Sequence, residues 1–327
     1  MRVFVVIPTV RNLSFLAFWG RAFTTCSLIV VEDHQRKGIP TPTKGFRRVY
    51  HYSWEDIKRD FGKDEWIFHR QNAGIRSYGF WKAYTLGADI IITLDDDCYP
   101  DDEDFVSKHL SNLAQKAPTG WFPTFPHPEF MYTRGFPYRV RRKHRVVISH
   151  GLWSHAMDMD ARTQIAIGNV NIRRYPPIRQ FIPFGYYFPM SSMNLAFVRD
   201  ITPLMYFPLM GKNPAGRAWG FDRYDDIWAG IFAKKILDHL GLAVASGSPF
   251  VEHKKASDPA VNAKKEQKGM RVNEDLWKFI DAVRLTGKTP AACYKELIVV
   301  ITKLRPRYFA DLAKAMGVWI RLFDTRI

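Results

Sequence analysis

The chain has 327 residues, of which 46% are hydrophobic and 24% are charged. This composition is typical of a soluble globular protein and excludes a fibrous or wholly disordered chain. The formal net charge of +16 indicates an anionic partner, and a phosphate-bearing small substrate, a nucleic acid and an anionic membrane surface all satisfy it. The 3 cysteines, Cys26, Cys98 and Cys293, lie far apart, which argues against a disulfide framework or a cysteine zinc site.

The N-terminal part of the chain has the pattern of an open α/β sheet. Continuous apolar runs at 3–7 and 27–31 predict buried parallel strands, and the helical spacing at 12–23 predicts a helix between them. A second helix is predicted at 77–86, before a central strand at 88–94. Ligands of such sheets bind beyond the carboxyl ends of the strands.

The amino-acid composition changes in the middle of the chain. Residues 118–180 are rich in proline, aromatic residues and arginine, which predicts long loops facing a substrate, with a few strands such as 145–148. Residues 186–198 are expected to contain strand structure around a tight segment. A helix is predicted at 224–240, because its apolar residues form one broad face.

The C-terminal part is predicted to be helical. Residues 256–269 form a polar loop or a short helix in this interpretation. Helical patterns follow at 276–285, 290–304 and 308–323, separated by segments that contain Pro290 and Pro306.

Three consecutive aspartates directly follow the predicted central strand. If the strand continued through them, Asp95 and Asp97 would point to one face and Asp96 to the other. Adjacent carboxylates repel one another unless a cation or basic groups compensate. Oxygen ligands favour Mg²⁺ or Mn²⁺, with diphosphate oxygens completing the coordination shell. The alternative is a solvated acidic turn, because further aspartates follow at 101, 102 and 104.

Three other groups of residues are candidates for the same site. Asp225 and Asp226 begin the predicted helix, where they serve either as capping residues or as a base or sugar-hydroxyl acceptor near the metal. His253 is a metal ligand only if its loop returns to the aspartates. The basic segment 134–145 suits diphosphate binding, although such runs are also solvated faces or nucleic-acid patches.

Several short segments, in this order, resemble the reversibly glycosylated polypeptides, a family also called UDP-arabinopyranose mutases. They are residues 6–13, 92–98, 149–153, 188–197 (FPMSSMNLAF), 223–230 (RYDDIWAG), 255–259 and 261–262. The resemblance covers roughly residues 1–270 and implies a glycosyltransferase A-type (GT-A) fold, a Rossmann-like α/β domain that binds a nucleotide sugar. Residues 271–327 are then expected to form a helical C-terminal extension.

The resemblance implies an enzyme that interconverts the pyranose and furanose forms of UDP-arabinose with Mn²⁺ or Mg²⁺. It also implies a sugar carried on an arginine, which ungapped counting places at Arg141, with Asp225 or Asp226 assisting. The metal ligands are expected to be Asp95, Asp97 and His253. The expected substrate-binding residues are Pro8, Thr9, Arg11, Asp33, Arg76, Asp96, His150, Asn194 and Lys255.

The sequence departs from the family pattern in three places. Arg141-Arg142-Lys143 stands where the family has Arg-Glu-Gly, Glu32-Asp33-His34-Gln35 lacks the usual second carboxylate after a glycine, and Ser191-Ser192 replaces Cys-Gly. The first two touch the expected site and leave the identity of the sugar open. These departures also favour an alternative function, a metal-dependent UDP-sugar glycosyltransferase that acts on a separate acceptor. Nucleic-acid binding without catalysis is disfavoured.

The expected partners are a UDP-sugar and other subunits, of the same chain or a related one. The basic tail from residue 294 is expected to pack on the catalytic domain or on a subunit, with peripheral contact to an anionic membrane as the alternative. Residues 1–8 are too short an apolar run for a secretory signal. A cytoplasmic location follows, with the same membrane-surface alternative.

Overall fold

The computed structural model describes residues 1–42, 44–101, 104–118, 120–122, 132–156, 159–168, 171–172, 179–254 and 258–324. Within them the strands are β1 (Val3–Thr9), β2 (Ser27–Glu32), β3 (Arg48–Tyr52), β4 (Ile90–Leu94), β5 (Cys98–Pro100), β6 (Lys116–Ala117), β7 (His144–Ala156), β8 (Asn171–Ile172), β9 (Arg179–Ile182), β10 (Asn194–Val198) and β11 (Ala243–His253). The α-helices are α1 (Trp54–Phe61), α2 (Arg76–Thr85), α3 (Phe105–Leu113), α4 (Ala161–Ile167), α5 (Asp225–His239), α6 (Pro259–Asp281), α7 (Pro290–Ile301) and α8 (Tyr308–Arg321).

The strands form a mixed sheet in the order β3-β2-β1-β4-β10-β7-β11-β5. The first four strands are parallel, β10 runs antiparallel to both β4 and β7, and β11 is parallel to β7. The half-sheet β3-β2-β1-β4 has the Rossmann strand order. The predicted α/β fold with a Rossmann-like half-sheet is therefore confirmed.

The order of the strands also determines where a ligand is expected to bind. The chain leaves β1 towards β2 and β3 on one side and returns to β4 on the other side. The strand order thus reverses between β1 and β4, and the crevice beyond their carboxyl ends is the preferred ligand position of such sheets. Every residue of β1, β2 and β4 is buried, which explains why these strands are almost uninterrupted apolar runs.

Helix α2 covers this half-sheet closely because Gly79 has no side chain. A Cβ at Gly79 would lie 2.5 Å from Val6 Cγ1 and 2.9 Å from Val31 Cγ2. Such distances are shorter than van der Waals contact, so glycine allows the helix to approach β1 and β2.

Three predicted elements differ in the structure. The helix expected at 12–23 is only a 3-10 helix, Ser14–Trp19, which ends at Gly20 with a φ of 50°. The loop or short helix expected at 256–269 is instead, from Pro259 onward, the first part of the 23-residue helix α6, whose start is favoured by the Asp258 cap and Pro259. The strand expected at 145–148 is the much longer β7.

The predicted helical C-terminus is confirmed, and its helices pack on the body of the protein. Tyr308 Oη donates to Leu209 O at 2.7 Å, and Trp319 Nε1 donates to Pro203 O at 2.9 Å. Helix α6 runs through residue 270 without a break, and the domain boundary there stays a prediction. In the described part of the chain, no helix combines the length and apolar character needed to cross a bilayer.

Candidate active site

The three aspartates form a turn at the carboxyl end of β4. The strand ends at Leu94, and Asp95–Asp97 lead through a turn into β5. The strand alternation predicted for them therefore does not apply. Asp96 turns towards β1, where Thr9 Oγ1 donates to its Oδ2 at 2.7 Å. This contact joins the ends of β1 and β4 at the point where the strand order reverses.

Arg76 ties the first aspartate to the protein core. Its guanidinium is fully buried and is hydrogen-bonded and ion-paired with Asp95. The same side chain donates to Ala73 O at 2.9 Å, to Thr93 Oγ1 at 2.9 Å and to Ser192 O at 2.6 Å. Because every bond comes from one planar fork, Arg76 fixes the direction of the Asp95 carboxylate.

Asp97 is brought next to His253 by the pairing of β5 with β11. His253 pairs with Cys98 in this ladder, and His253 Nε2 lies 3.9 Å from Asp97 Oδ1. Lys254 N also donates to Asp97 O at 3.1 Å. The sequence condition for His253, that its loop returns to the aspartates, is therefore met.

The charge at this turn favours a cation. Burial and the neighbouring charge of Asp95 raise the pKa of Asp97 to about 6, although His253 and Arg11 act in the opposite direction. Among the described residues, no three His, Cys, Asp or Glu side chains are gathered closely enough to hold an ion alone. Mg²⁺ and Mn²⁺ sites for nucleotides commonly use one or two carboxylates plus phosphate oxygens, so the residues present fit such an ion.

Arg11 and Asp33 flank the turn from the ends of β1 and β2. Arg11 is half-exposed, and its guanidinium lies 3.4 Å from Asp96 and 3.9 Å from Asp97. Asp33 is buried and accepts from Trp54 Nε1 at 2.6 Å and from Asn72 N at 3.1 Å. Burial raises the pKa of Asp33. Pro8 is buried in β1 directly before Thr9.

The two acidic residues at the start of α5 have different environments. Asp226 Oδ2 accepts from the backbone N and the Oγ of Ser192, both at 3.0 Å. Asp225 is 5% exposed, and its Oδ2 has no hydrogen-bond partner. Burial, helped by the charge of Asp226, raises the pKa of Asp225 to about 8. The N-cap residue Tyr224 makes no side-chain cap, but Asp226 Oδ1 accepts from Ile227 N at 2.9 Å. The capping alternative therefore holds in part for Asp226 and leaves Asp225 unexplained.

The raised pKa of Asp225 predicts a pH-dependent stability. The folded chain holds this proton more tightly than the unfolded chain, so stability is lost as pH rises from about 4 through 8. We expect Asp225→Asn to be more stable than the wild type at pH 8 and the difference to shrink towards pH 5. Urea unfolding of both proteins at the two pH values measures it. An equal difference at both pH values would contradict the assignment.

His150 and Asn194 are engaged inside the protein. His150 Nδ1 lies 2.9 Å from Ser246 Oγ, and its Nε2 accepts from Ser191 N at 3.1 Å. Asn194 donates to Leu152 O and Pro249 O, both at 2.9 Å, and its Oδ1 pairs with His109. Both side chains therefore orient β7, β10 and β11 behind the turn, and their substrate-binding role stays a prediction. Lys255 lies outside the described residues.

Arg141 is not brought to the aspartate turn. It precedes β7, which runs parallel to β4 because both are antiparallel to β10. Leu195 pairs with His150 and with Thr93, so His144, at the start of β7, lies near the amino ends of the strands. The strand rise places that point on the order of 25 Å from the turn.

The surroundings of Arg141 support this position. Its guanidinium stacks on Tyr138 at 3.9 Å and on Tyr132 at 4.6 Å, and its Nη2 donates to Phe136 O at 3.0 Å. Arg145 nearby pairs with Asp200, the second residue after the carboxyl end of β10. Within one chain, Arg141 and the candidate metal ligands thus lie at opposite ends of the strands.

Sequence reasoning missed several residues that shape the site. Trp54, Asn72 and Ser192 hold the carboxylates of Asp33 and Asp226 through contacts between distant segments. His69 lies beside Asp225 through their common neighbour Gly74. Only the motif around Ser192 gave a signal in the sequence, because the others depend on tertiary contacts alone.

The sequence of the chain matches known proteins over nearly its whole length. The family model described as reversibly glycosylated polypeptide matches residues 1–326. UDP-arabinopyranose mutase 1 of Arabidopsis thaliana is 38% identical, with 98% of this chain and 91% of that protein aligned. UDP-arabinopyranose mutase 1 of Oryza sativa subsp. japonica is 37% identical, with 98% and 90% aligned.

Among solved structures, one similar chain is the mannosyltransferase PcManGT from Pyrobaculum calidifontis in complex with GDP-Man and Mn²⁺. It has 11% sequence identity and a TM-score of 0.40, with 97% of this chain and 69% of that chain aligned. The match to the family is far stronger than this structural similarity, because the family model spans nearly the whole chain and the relatives exceed 35% identity. The chain therefore belongs to the reversibly glycosylated polypeptide family.

Proposed function

We propose that this chain is a metal-dependent mutase that interconverts the pyranose and furanose forms of a UDP-sugar, with UDP-arabinose as the first candidate. The observation that carries the proposal is the position of Asp95–Asp97, at the carboxyl end of β4 where the strand order reverses. Relatives named UDP-arabinopyranose mutase align over 98% of the chain, which supports the same reaction.

The reaction requires the groups found at this turn. The ring cannot change size while C1 is bonded to the diphosphate, so the C1–O bond breaks first and its electron pair leaves with UDP. The sugar then has oxocarbenium-like character. Arg11, half-exposed beside Asp96 and Asp97, stabilises the negative charge of the departing diphosphate. Another hydroxyl of the sugar then bonds to C1 and gives up its proton, while the bond from C1 to the original ring oxygen breaks and that oxygen takes up a proton. UDP finally returns to C1.

Asp97, His253 and Asp95 are the residues that would hold the divalent ion. Mn²⁺ or Mg²⁺, when bound, supplies further stabilisation of the leaving diphosphate. Arg76 keeps Asp95 directed at the turn, and Thr9 does the same for Asp96. Asp226, beside Ser192, is the candidate acceptor for a sugar hydroxyl.

The experiment is a product assay. Purified protein with Mn²⁺ and UDP-arabinopyranose is expected to form UDP-arabinofuranose, and a chelator is expected to stop the reaction. No furanose product from UDP-arabinopyranose or any related UDP-pentose or UDP-hexose would contradict the proposal. Transfer of labelled sugar to an added glycan instead would favour the glycosyltransferase alternative.

The position of Arg141 bears on self-glycosylation. The family description names a reversibly glycosylated polypeptide, and the sequence resemblance assigns the sugar to Arg141. A sugar released at the aspartate turn is on the order of 25 Å from the start of β7, which Arg141 precedes in the same chain. We therefore place any transfer to Arg141 between two copies of the chain, which is also our reason for proposing a homo-oligomer.

Mixing two variants tests transfer between copies. Asp97→Asn keeps Arg141 but lacks a metal ligand, and Arg141→Lys keeps the aspartate turn. Intact-mass measurement after incubation with UDP-sugar and Mn²⁺ is expected to show a sugar on Asp97→Asn only when Arg141→Lys is present. A sugar that never appears on Asp97→Asn in the mixture, although the wild type is modified, would contradict transfer between copies.

A further inference from the structure

His69 and Asp225 are two buried side chains with unsatisfied polar atoms in the same place. His69 is 0% exposed and Asp225 is 5% exposed. Neither ring nitrogen of His69 makes a hydrogen bond of normal geometry, although the Phe207 backbone lies close enough to affect the pKa of the ring. Asp225 Oδ2 has no hydrogen-bond partner. An unsatisfied buried polar atom costs about 1–3 kcal/mol, so two such groups side by side require a common physical explanation.

The two side chains converge on Gly74. A Cβ built on Gly74 would lie 2.0 Å from His69 Nε2 and 2.9 Å from Asp225 Oδ2. A single methyl group would therefore touch both polar atoms at once. The Nε2 edge of the imidazole and the free carboxyl oxygen therefore face the same small space beside Gly74.

Gly74 lies in the turn that leads to Arg76. The 3-10 turn Ala73–Ile75 directly precedes α2, and Arg76 Nε donates back to Ala73 O at 2.9 Å. Arg76 in turn holds Asp95 at the aspartate turn. A bond that fixes the environment of Gly74 therefore fixes the base from which Arg76 reaches the site.

The charges around Asp225 favour its neutral form. Asp226 and Asp222 both disfavour a negative charge on Asp225, whereas Arg76 favours it. Tyr308 on α8 donates its hydroxyl hydrogen to Leu209 O, and its pKa is raised by burial with a smaller contribution from the charge of Asp225. Two nearby carboxylates and deep burial outweigh one arginine, so the carboxyl group carries a proton to donate.

The charges around His69 favour a neutral ring. Burial is the main cause that lowers the pKa of His69 to about 3, the nearby Arg70 charge adds to it, and the backbone of Phe207 acts in the opposite direction. Phe207 N already donates to Ser77 Oγ at 3.0 Å. The Phe207 carbonyl is thus the backbone group that favours a proton on the His69 ring. Because the Nε2 edge faces the Asp225 carboxyl, the bond proposed below requires that proton on Nδ1, which leaves Nε2 as an acceptor.

We propose that His69 is a positioning residue whose Nε2 accepts a hydrogen bond from the protonated carboxyl of Asp225 beside Gly74. The bond holds the 73–75 turn and thereby keeps Arg76 directed at Asp95. No proton is transferred and no bond to substrate is made. The effect on catalysis rests on the proposed function, whereas the hydrogen bond itself does not depend on it.

Histidine NMR of the full chain tests the bond directly. The ¹⁵N-labelled wild type is expected to show a His69 ring with its proton on Nδ1 and no titration between pH 5.5 and 7, below the pKa of Asp225, with His69→Phe identifying the signal. Asp225→Leu removes the donor and is expected to shift the Nε2 resonance. Asp225→Asn keeps a donor and is expected to shift it less. The ring of His109, bonded to Asn194, is the internal reference.

An unchanged His69 signal in Asp225→Leu, or a proton on Nε2 in the wild type, would overturn the proposal. Kinetics give a second readout. His69→Phe keeps the ring volume without its nitrogens and is expected to lower kcat by up to about 100-fold, because Arg76 is misplaced. His69→Gln retains an acceptor and is expected to recover part of the loss. The exposed His239→Gln serves as the matched control with wild-type kcat.

A His69→Phe enzyme that folds and keeps the wild-type kcat would also overturn the positioning role. Failure of the proposed function looks different. In that case the wild type itself forms no furanose product, and the NMR shift in Asp225→Leu still decides whether the bond exists.

Discussion

Asp97→Asn is expected to abolish Mn²⁺-dependent binding of UDP and to lower mutase activity by about 1000-fold or more. The substitution keeps the shape of the side chain and removes its charge, next to His253 at 3.9 Å. Burial and the Asp95 charge already disfavour a carboxylate there, so the position is costly unless a cation is bound. Isothermal titration of UDP with and without Mn²⁺ measures the binding independently of catalysis.

Asp104→Asn is the matched control for this substitution. Asp104 belongs to the same acidic stretch of sequence, but it is exposed at the start of α3 and makes no side-chain cap. It is expected to bind UDP and Mn²⁺ as the wild type does. Equal loss in both variants would indicate a general effect of acidic charge, and unchanged Mn²⁺-dependent binding in Asp97→Asn would remove the metal site from this turn.

The sequence predicted the strands at the centre of the site but not the direction of every strand. Residues 3–7 and 27–31 are continuous apolar runs, which is the pattern of a strand buried on both faces, and the strand predicted at 88–94 is observed at 90–94. Their carboxyl ends were therefore predictable, and so was the position of Asp95–Asp97. These inferences needed only local pattern and the rule that ligands bind beyond parallel strands.

The position of Arg141 relative to the site could not be predicted from local sequence patterns. The sequence predicted a strand after Arg141, but not that this strand runs parallel to β4. When two strands are parallel, a residue that precedes one of them and a residue that follows the other lie at opposite ends of the strands. Arg141 precedes β7 and Asp95 follows β4, so the short distance in sequence from Arg141 to the motif at 149–153 did not place Arg141 at the site. The buried partners of Asp225 and Asp226 were equally hidden, because Ser192 and His69 meet them only through packing of separate segments.

Arg76→Met is expected to produce the largest loss of stability, about 3–5 kcal/mol in the free energy of unfolding. Methionine fills a similar volume but leaves the Asp95 carboxylate without its buried partner. Thr93 Oγ1 and Ser192 O also lose a charged donor in the fully buried part of the site. Urea unfolding at neutral pH, followed by circular dichroism, measures the change.

Arg11→Met is the control that separates burial from charge, because it removes an arginine from the same turn. The Arg11 side chain is 48% exposed and pairs with Asp96 at 3.4 Å, so solvent already screens its charge and a change of below about 1 kcal/mol is expected. If Arg76→Met also changed the free energy of unfolding by less than about 1 kcal/mol, the buried fork would not be what holds Asp95. The aspartate turn would then have to be stabilised by its backbone contacts to Met193 and Lys254.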